Sequence, residues 1–108
     1  MTLSAYQYMW IVAMFDLPVD TPGRRKAYAR FRKDLLADGF SMMQYSVYLR
    51  HCANAENAEV HVNRIEQALP SVGELRVLLM TDKQLERMRV FGTPHEREPR
   101  GAAQLELF

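Results

Sequence analysis

A chain of 108 residues has room for one compact domain and not for two with separate cores. Its hydrophobic share of 48% and charged share of 25% are those of a folded globular protein, which excludes fibrous and low-complexity classes. Lys and Arg number 14 against 13 Asp and Glu, so the net charge of +1 names no partner, and any electrostatic argument must come from where the charges sit.

The opening Met-Thr-Leu-Ser-Ala-Tyr-Gln-Tyr lacks the basic start and long apolar stretch of a secretory signal. The apolar run after it, Met9-Trp-Ile-Val-Ala-Met-Phe15, is far shorter than the roughly 20 residues that span a bilayer. Cys52 is the single cysteine, so an internal disulfide and a Cys-based zinc site are both excluded, which suits a reducing compartment. The expected location is the cytoplasm, with no membrane association.

That apolar run predicts a strand buried on both faces, and therefore a central one, ending at Asp16 before a turn through Leu17-Pro18. Two readings of Asp16 compete. As a local cap it would accept backbone hydrogen bonds in the turn that follows. As a ligand it would hold a hard divalent cation such as magnesium, which needs only one or two protein carboxylates and keeps several waters. One acid is a weak cage, but a two-fold axis passing near Asp16 would bring an identical carboxylate from a second chain.

Asp20 or Thr21 can cap a helix with Pro22 at its first position and Gly39 closing it, giving roughly residues 22 to 38. Ala27, Tyr28, Phe31 and Leu35 form its apolar stripe, with Arg25, Lys26, Arg30, Arg32 and Lys33 spread over the other side. Together with Arg24 these cations are six of the 14 basic residues, with no acid between them. A solvated helix face usually mixes Glu with Lys, because like-charged neighbours cost a few tenths of a kcal/mol. Phosphate binding accounts for that cost, and guanidinium pairs bidentately with phosphate to give sequence-independent affinity.

Residues 40 to 52 read as two short strands or one bent strand, breaking near Gln44-Tyr45-Ser46. Tyr45, Tyr48 and Phe40 are candidates for base stacking, against the commoner use of strand aromatics as packing. The RNA-recognition module is excluded, because Ser46-Val-Tyr-Leu-Arg50 lacks its basic and glycine-aromatic run. Asn54 caps a second helix to about Leu69, with Ala58, Val62, Ile65 and Leu69 on one face and Pro70 stopping it.

Residues 74 to 80 predict a further strand, followed by a helical turn capped by Thr81 or Asp82, and residues 88 to 91 a short edge strand. Residues 93 to 103 read as an exposed connector, and the closing Gln-Leu-Glu-Leu-Phe alternates like a strand that needs a place to dock. His51, His61 and His95 have no metal-ligand spacing, and neither a nucleophilic triad nor a Gly-rich phosphate loop is present. The predicted class is α+β: a ferredoxin-like β-α-β-β-α-β sandwich over residues 1 to 92, then a connector and an extra C-terminal strand over residues 93 to 108.

Ile11-Val-Ala-Met-Phe-Asp-Leu-Pro18, the Arg24-Arg25 pair, Gly39-Phe40 leading into Gln44-Tyr-Ser-Val-Tyr48, and the terminal Leu105-Glu-Leu-Phe together resemble the CRISPR-associated protein two family, in particular members that accompany type II systems. The resemblance implies a homodimer with Asp16 of each chain facing its mate and holding Mg2+ between them. It implies metal-dependent endonuclease activity on RNA or duplex DNA, and a scaffold that binds duplex DNA for the CRISPR integrase, CRISPR-associated protein one. By position, Arg24 and Arg25 match basic residues at the start of the first helix, and Tyr48 matches an aromatic position in the third strand. Phe15 stands where many relatives carry tyrosine, a departure that separates binding a metal from using one. The fold by itself leaves two other functions open: a toxin-type endoribonuclease held silent by an antitoxin, and a non-catalytic docking module.

Overall fold

The computed structural model describes residues 9–93. In chain order these form β1 (Met9–Asp16), α1 (Pro22–Ala37), β2 (Ser41–Gln44), β3 (Val47–Cys52), α2 (Ala55–Ala68), β4 (Glu74–Thr81) and a five-residue helix, α3 (Asp82–Glu86). The strands make one antiparallel sheet in the order β2-β3-β1-β4, which is the ferredoxin-like arrangement. β1 is central, as its apolar run requires, paired with β3 on one side and along its whole length with β4 on the other.

The two faces of the sheet are unequally covered. Ile11, Ala13 and Phe15 point to the side where α1 and α2 pack, and meet Phe31 and Leu35 of α1 and Ala58 and Ile65 of α2. Val62 packs against that core, and so does Leu69, which lies just past the helix end rather than on its face. On the opposite face, Trp10, Val12 and Met14 lie with Met43, Val47, Leu49 and Met80 under little more than Leu85 of α3. Leu78, opposite Val12 in the register, is 53% exposed there.

Helix ends follow local chemistry. Thr21, rather than Asp20, caps α1 by accepting from the Arg24 backbone N–H at 3.1 Å. Asn54 caps α2 in the same way at 2.8 Å. At α3 the cap is Thr81, whose reciprocal bonds with Gln84 form a capping box, and Asp82 begins the helix instead of capping it. Asp82 accepts from the Trp10 indole N–H and lies 3.7 Å from His51 Nε2, which ties α3 to the sheet.

Asp38, just past α1, carries the main buried polar network. Its carboxylate meets His61 Nδ1 at 2.8 Å and Arg64 at 3.0 Å, while its carbonyl accepts from Arg50 Nε at 2.7 Å. Burial opposes ionisation of Asp38, but the bonds from His61 and Arg64 outweigh it and hold the carboxyl below its ordinary 3.8. A depressed folded value means that this group stabilises the protein above its unfolded pKa and loses that contribution as pH falls through the folded value. Urea midpoints of wild type and Asp38→Asn should therefore differ at neutral pH and converge as the pH drops below 3.8. A constant gap would show that ionised Asp38 is not the source.

Residues 88 to 91 are not a strand: they leave α3 without regular structure, with Val90 80% and Phe91 79% exposed. Apolar content alone does not make an edge strand: among the described residues this segment pairs with neither open edge of the sheet, β2 or β4. The predicted terminal strand and the connector beyond Thr93 lie outside the described residues.

Candidate metal centre and nucleic-acid interface

Asp16 ends β1 and is exposed. Strand alternation places it on the same face as Trp10, Val12 and Met14, the side that the long helices leave uncovered. Among the described residues no hydrogen bond or ion pair to the Asp16 carboxylate is found, so it does not cap the turn that follows β1. Its position is well fixed all the same. The Phe15 N–H donates to the Ser46 carbonyl at 3.1 Å, and Leu17 is buried. Gly73, with φ +136°, packs so closely that a Cβ there would come within 2.2 Å of Leu17 Cδ2.

The register sets Glu74 directly across from Asp16. Facing carboxylates on paired strands repel, and here Glu74 is neutralised by Arg76 at 2.9 Å. Sequence reasoning missed Glu74, because only the β1–β4 register reveals the pairing. No group of three or more His, Cys, Asp or Glu residues is placed to hold a metal among the described residues. Asp16, exposed and without a hydrogen bond among the described residues, offers the hard carboxylate oxygens that magnesium takes while it keeps its waters.

The cations of α1 do not form one stripe. Arg24 pairs with both oxygens of Asp20 at 3.0 and 3.2 Å, and Arg25 donates to the Val19 carbonyl at 3.1 Å. Lys26 and Arg30 flank a groove of about 490 Å³ between α1 and the end of α2, floored by Phe31 and Ala68. Lys33 is exposed, whereas Arg32 is half-buried with its guanidinium beside the Tyr48 hydroxyl. The cations thus sit on two flanks of the helix, one toward α2 and one toward the β2–β3 turn.

Rings gather behind Asp16. Phe15 is 6% exposed and meets Phe31 at 5.0 Å, Tyr48 at 5.6 Å and Tyr28 at 5.8 Å between centroids. Its ring faces the helices, on the other side of the sheet from the Asp16 side chain, so the departure at this position is a change within the core. Tyr48, a candidate site aromatic, is also core, at 1% exposed. Burial raises its hydroxyl pKa, with Arg32 pulling the other way. The Tyr28 hydroxyl lies 3.0 Å from Ser46 Oγ, and burial pushes it up to about 12 despite that bond, so it stays protonated at neutral pH. Burial likewise raises the Cys52 thiol, which sits within the core.

The family model for CRISPR associated protein Cas2 matches residues 9–88, from the first residue of β1 to just beyond α3. The chain belongs to the Cas2 family. It is 59% identical over 101 residues to the CRISPR-associated endoribonuclease Cas2 of Parvibaculum lavamentivorans, covering 93% of this chain and 100% of that protein. With the protein of the same description from Flavobacterium psychrophilum it shares 48% identity over 98% of this chain and 93% of that one. The crystal structure of Streptococcus pyogenes Cas2 at pH 6.5 superposes with a TM-score of 0.58 over 77% of this chain and 99% of that chain; at 23% identity the likeness concerns the fold. Membership in Cas2 favours a CRISPR-associated role over the toxin and docking readings that the fold leaves open. No helix among the described residues is long and apolar enough to cross a membrane.

Proposed function

We propose that this chain is a subunit of CRISPR adaptation that acts as a homodimer, binds the backbone of duplex DNA and scaffolds the integrase, CRISPR-associated protein one, during spacer acquisition. Its relatives' description as endoribonucleases supports a second capacity, magnesium-dependent phosphodiester cleavage of RNA or DNA. The observation that carries the reading is Asp16: an exposed carboxylate without a described partner, on the open face of an apolar sheet. A second copy packed on that face would cover Met14, Leu78 and their neighbours and bring its own Asp16 toward the first.

In that assembly the two Asp16 carboxylates would hold the ion. Magnesium bound there would supply a more acidic water and offset charge building on the phosphodiester. The protein's own contribution is positioning: β1 fixes the carboxylate, while Lys26, Arg30 and Lys33 offer cations to the phosphates. Arg24 and Arg25, held by Asp20 and the Val19 carbonyl, are oriented by the loop that follows Asp16.

Backbone binding has a measurable signature. Log affinity for duplex DNA should fall linearly with log salt, by about 0.9 per phosphate contacted. Replacing both Lys26 and Arg30 with Ala should lower the steepness of that slope by about 2. Affinity indifferent to salt would remove duplex backbone binding from the proposal.

A further inference from the structure

One aromatic at this end of the sheet is not used by the core. Tyr45 sits in the β2–β3 turn and is 74% exposed, whereas Phe15 and Tyr48 beside it are buried. One face of its ring lies on Tyr28, with centroids 5.7 Å apart and planes inclined by 17°, and the other face is open. The support beneath is fixed, because the Tyr28 hydroxyl is bonded to Ser46 Oγ at 3.0 Å. Ser46 itself adopts φ +62°, a left-handed conformation that turns the chain sharply and sets Tyr45 over α1.

The same turn is tied to the candidate centre. Ser46 accepts the backbone hydrogen bond of Phe15, so Tyr45 is one residue from the contact that fixes the end of β1. Arg32 lies beside Tyr48, within the same group of rings, and supplies positive charge. A rigid ring with one free face, set among cations, is how proteins take hold of unpaired bases without reading their identity. A flat ring held in place also loses little entropy on binding, since its orientation is already set.

We infer that Tyr45, backed by Tyr28, is a stacking platform for an unpaired nucleobase, so that this chain engages a single-stranded stretch of nucleic acid at the Asp16 end of β1. The inference rests on the nucleic-acid reading above and adds a preference to it. Duplex backbone contacts do not distinguish blunt from frayed ends, whereas a stacking platform does. The unpaired base can belong to single-stranded RNA or to the overhang of a DNA duplex, which present the same π face.

The test measures binding of the full chain to single-stranded RNA, to a DNA duplex with a single-stranded overhang, and to a blunt duplex of the same paired length. Tyr45→Ala should weaken binding to one or both ligands with unpaired bases by about 5- to 100-fold, and Tyr45→Phe should retain it. Blunt-duplex affinity should be unchanged in both variants. The ligand that suffers identifies the source of the base. A fluorescent adenine analogue in the unpaired segment should be quenched on binding to wild type, a readout that does not depend on a variant folding. Tyr45→Ala binding all three ligands like wild type, or losing the blunt duplex equally, would overturn the platform. Replacing Lys26 and Arg30 together reports on the backbone reading separately. If that variant binds all ligands normally while Tyr45→Ala keeps its selective defect, backbone contact falls and the platform stands.

Discussion

Asp16→Asn is expected to lower magnesium-dependent phosphodiester cleavage about 100-fold or more, with the fold intact. Asparagine keeps the shape of the side chain and removes its charge, and a hard divalent ion binds a neutral amide oxygen far less strongly than a carboxylate. Because Asp16 is exposed and no described group bonds to it, the change should leave thermal stability near that of wild type. In a homodimer the same substitution removes both carboxylates at once, which is why the expected loss is large. The check is the initial cleavage rate of RNA and duplex DNA in excess magnesium, with integrase-supported spacer capture measured in parallel. Cleavage lost with capture retained would make the metal dispensable for scaffolding. Undiminished cleavage would exclude Asp16 as the ligand.

Phe15→Ala should cost about 3–5 kcal/mol of folding stability, the range for deleting a buried aromatic. Phe15 touches rings from α1 and β3 together, so its removal leaves a cavity that no single neighbour can fill. The loss should appear as a lower urea midpoint at unchanged slope, a signature of lost stability rather than of altered compactness. Phe15→Leu should recover much of it. If Phe15→Ala melted like wild type, the ring cluster would not be the fastening of this end of the sheet. Residual cleavage in this variant should also fall, because the neighbouring Asp16 depends on the same strand end for its position.

Both tests concern adjacent residues, and only one of them was legible in full from the sequence. An apolar run stopping at an acid is a local pattern, and so are the proline and glycine that bracket α1. These gave the central strand, the helices and Asp16. The break near Ser46 was equally visible, though not that its φ would be positive. Glu74 opposite Asp16, His61 on Asp38 and Asp82 on Trp10 were invisible, because each joins elements far apart in the chain and depends on strand register or helix docking. The half-buried place of Arg32 beside Tyr48 was hidden for a related reason. A helical wheel separates apolar from polar faces, but it cannot show that a long guanidinium stem at the boundary will fold down toward a buried hydroxyl. Tyr48 followed the commoner fate of a strand aromatic, and Tyr45, weighed beside it, took the exposed place.

The register also governs when the acidic end of the sheet comes into being. β1 is synthesised before β4, yet Trp10 meets Asp82 across 72 residues of chain, and every residue of β1 is paired with one of β4. At about 5–20 residues per second, the ribosome takes roughly 4–14 s to bridge that interval. Throughout it the most apolar of the described strands has been made without its longest described neighbour. β1 is thus completed late, and the carboxylate at its end acquires its geometry only when β4 arrives.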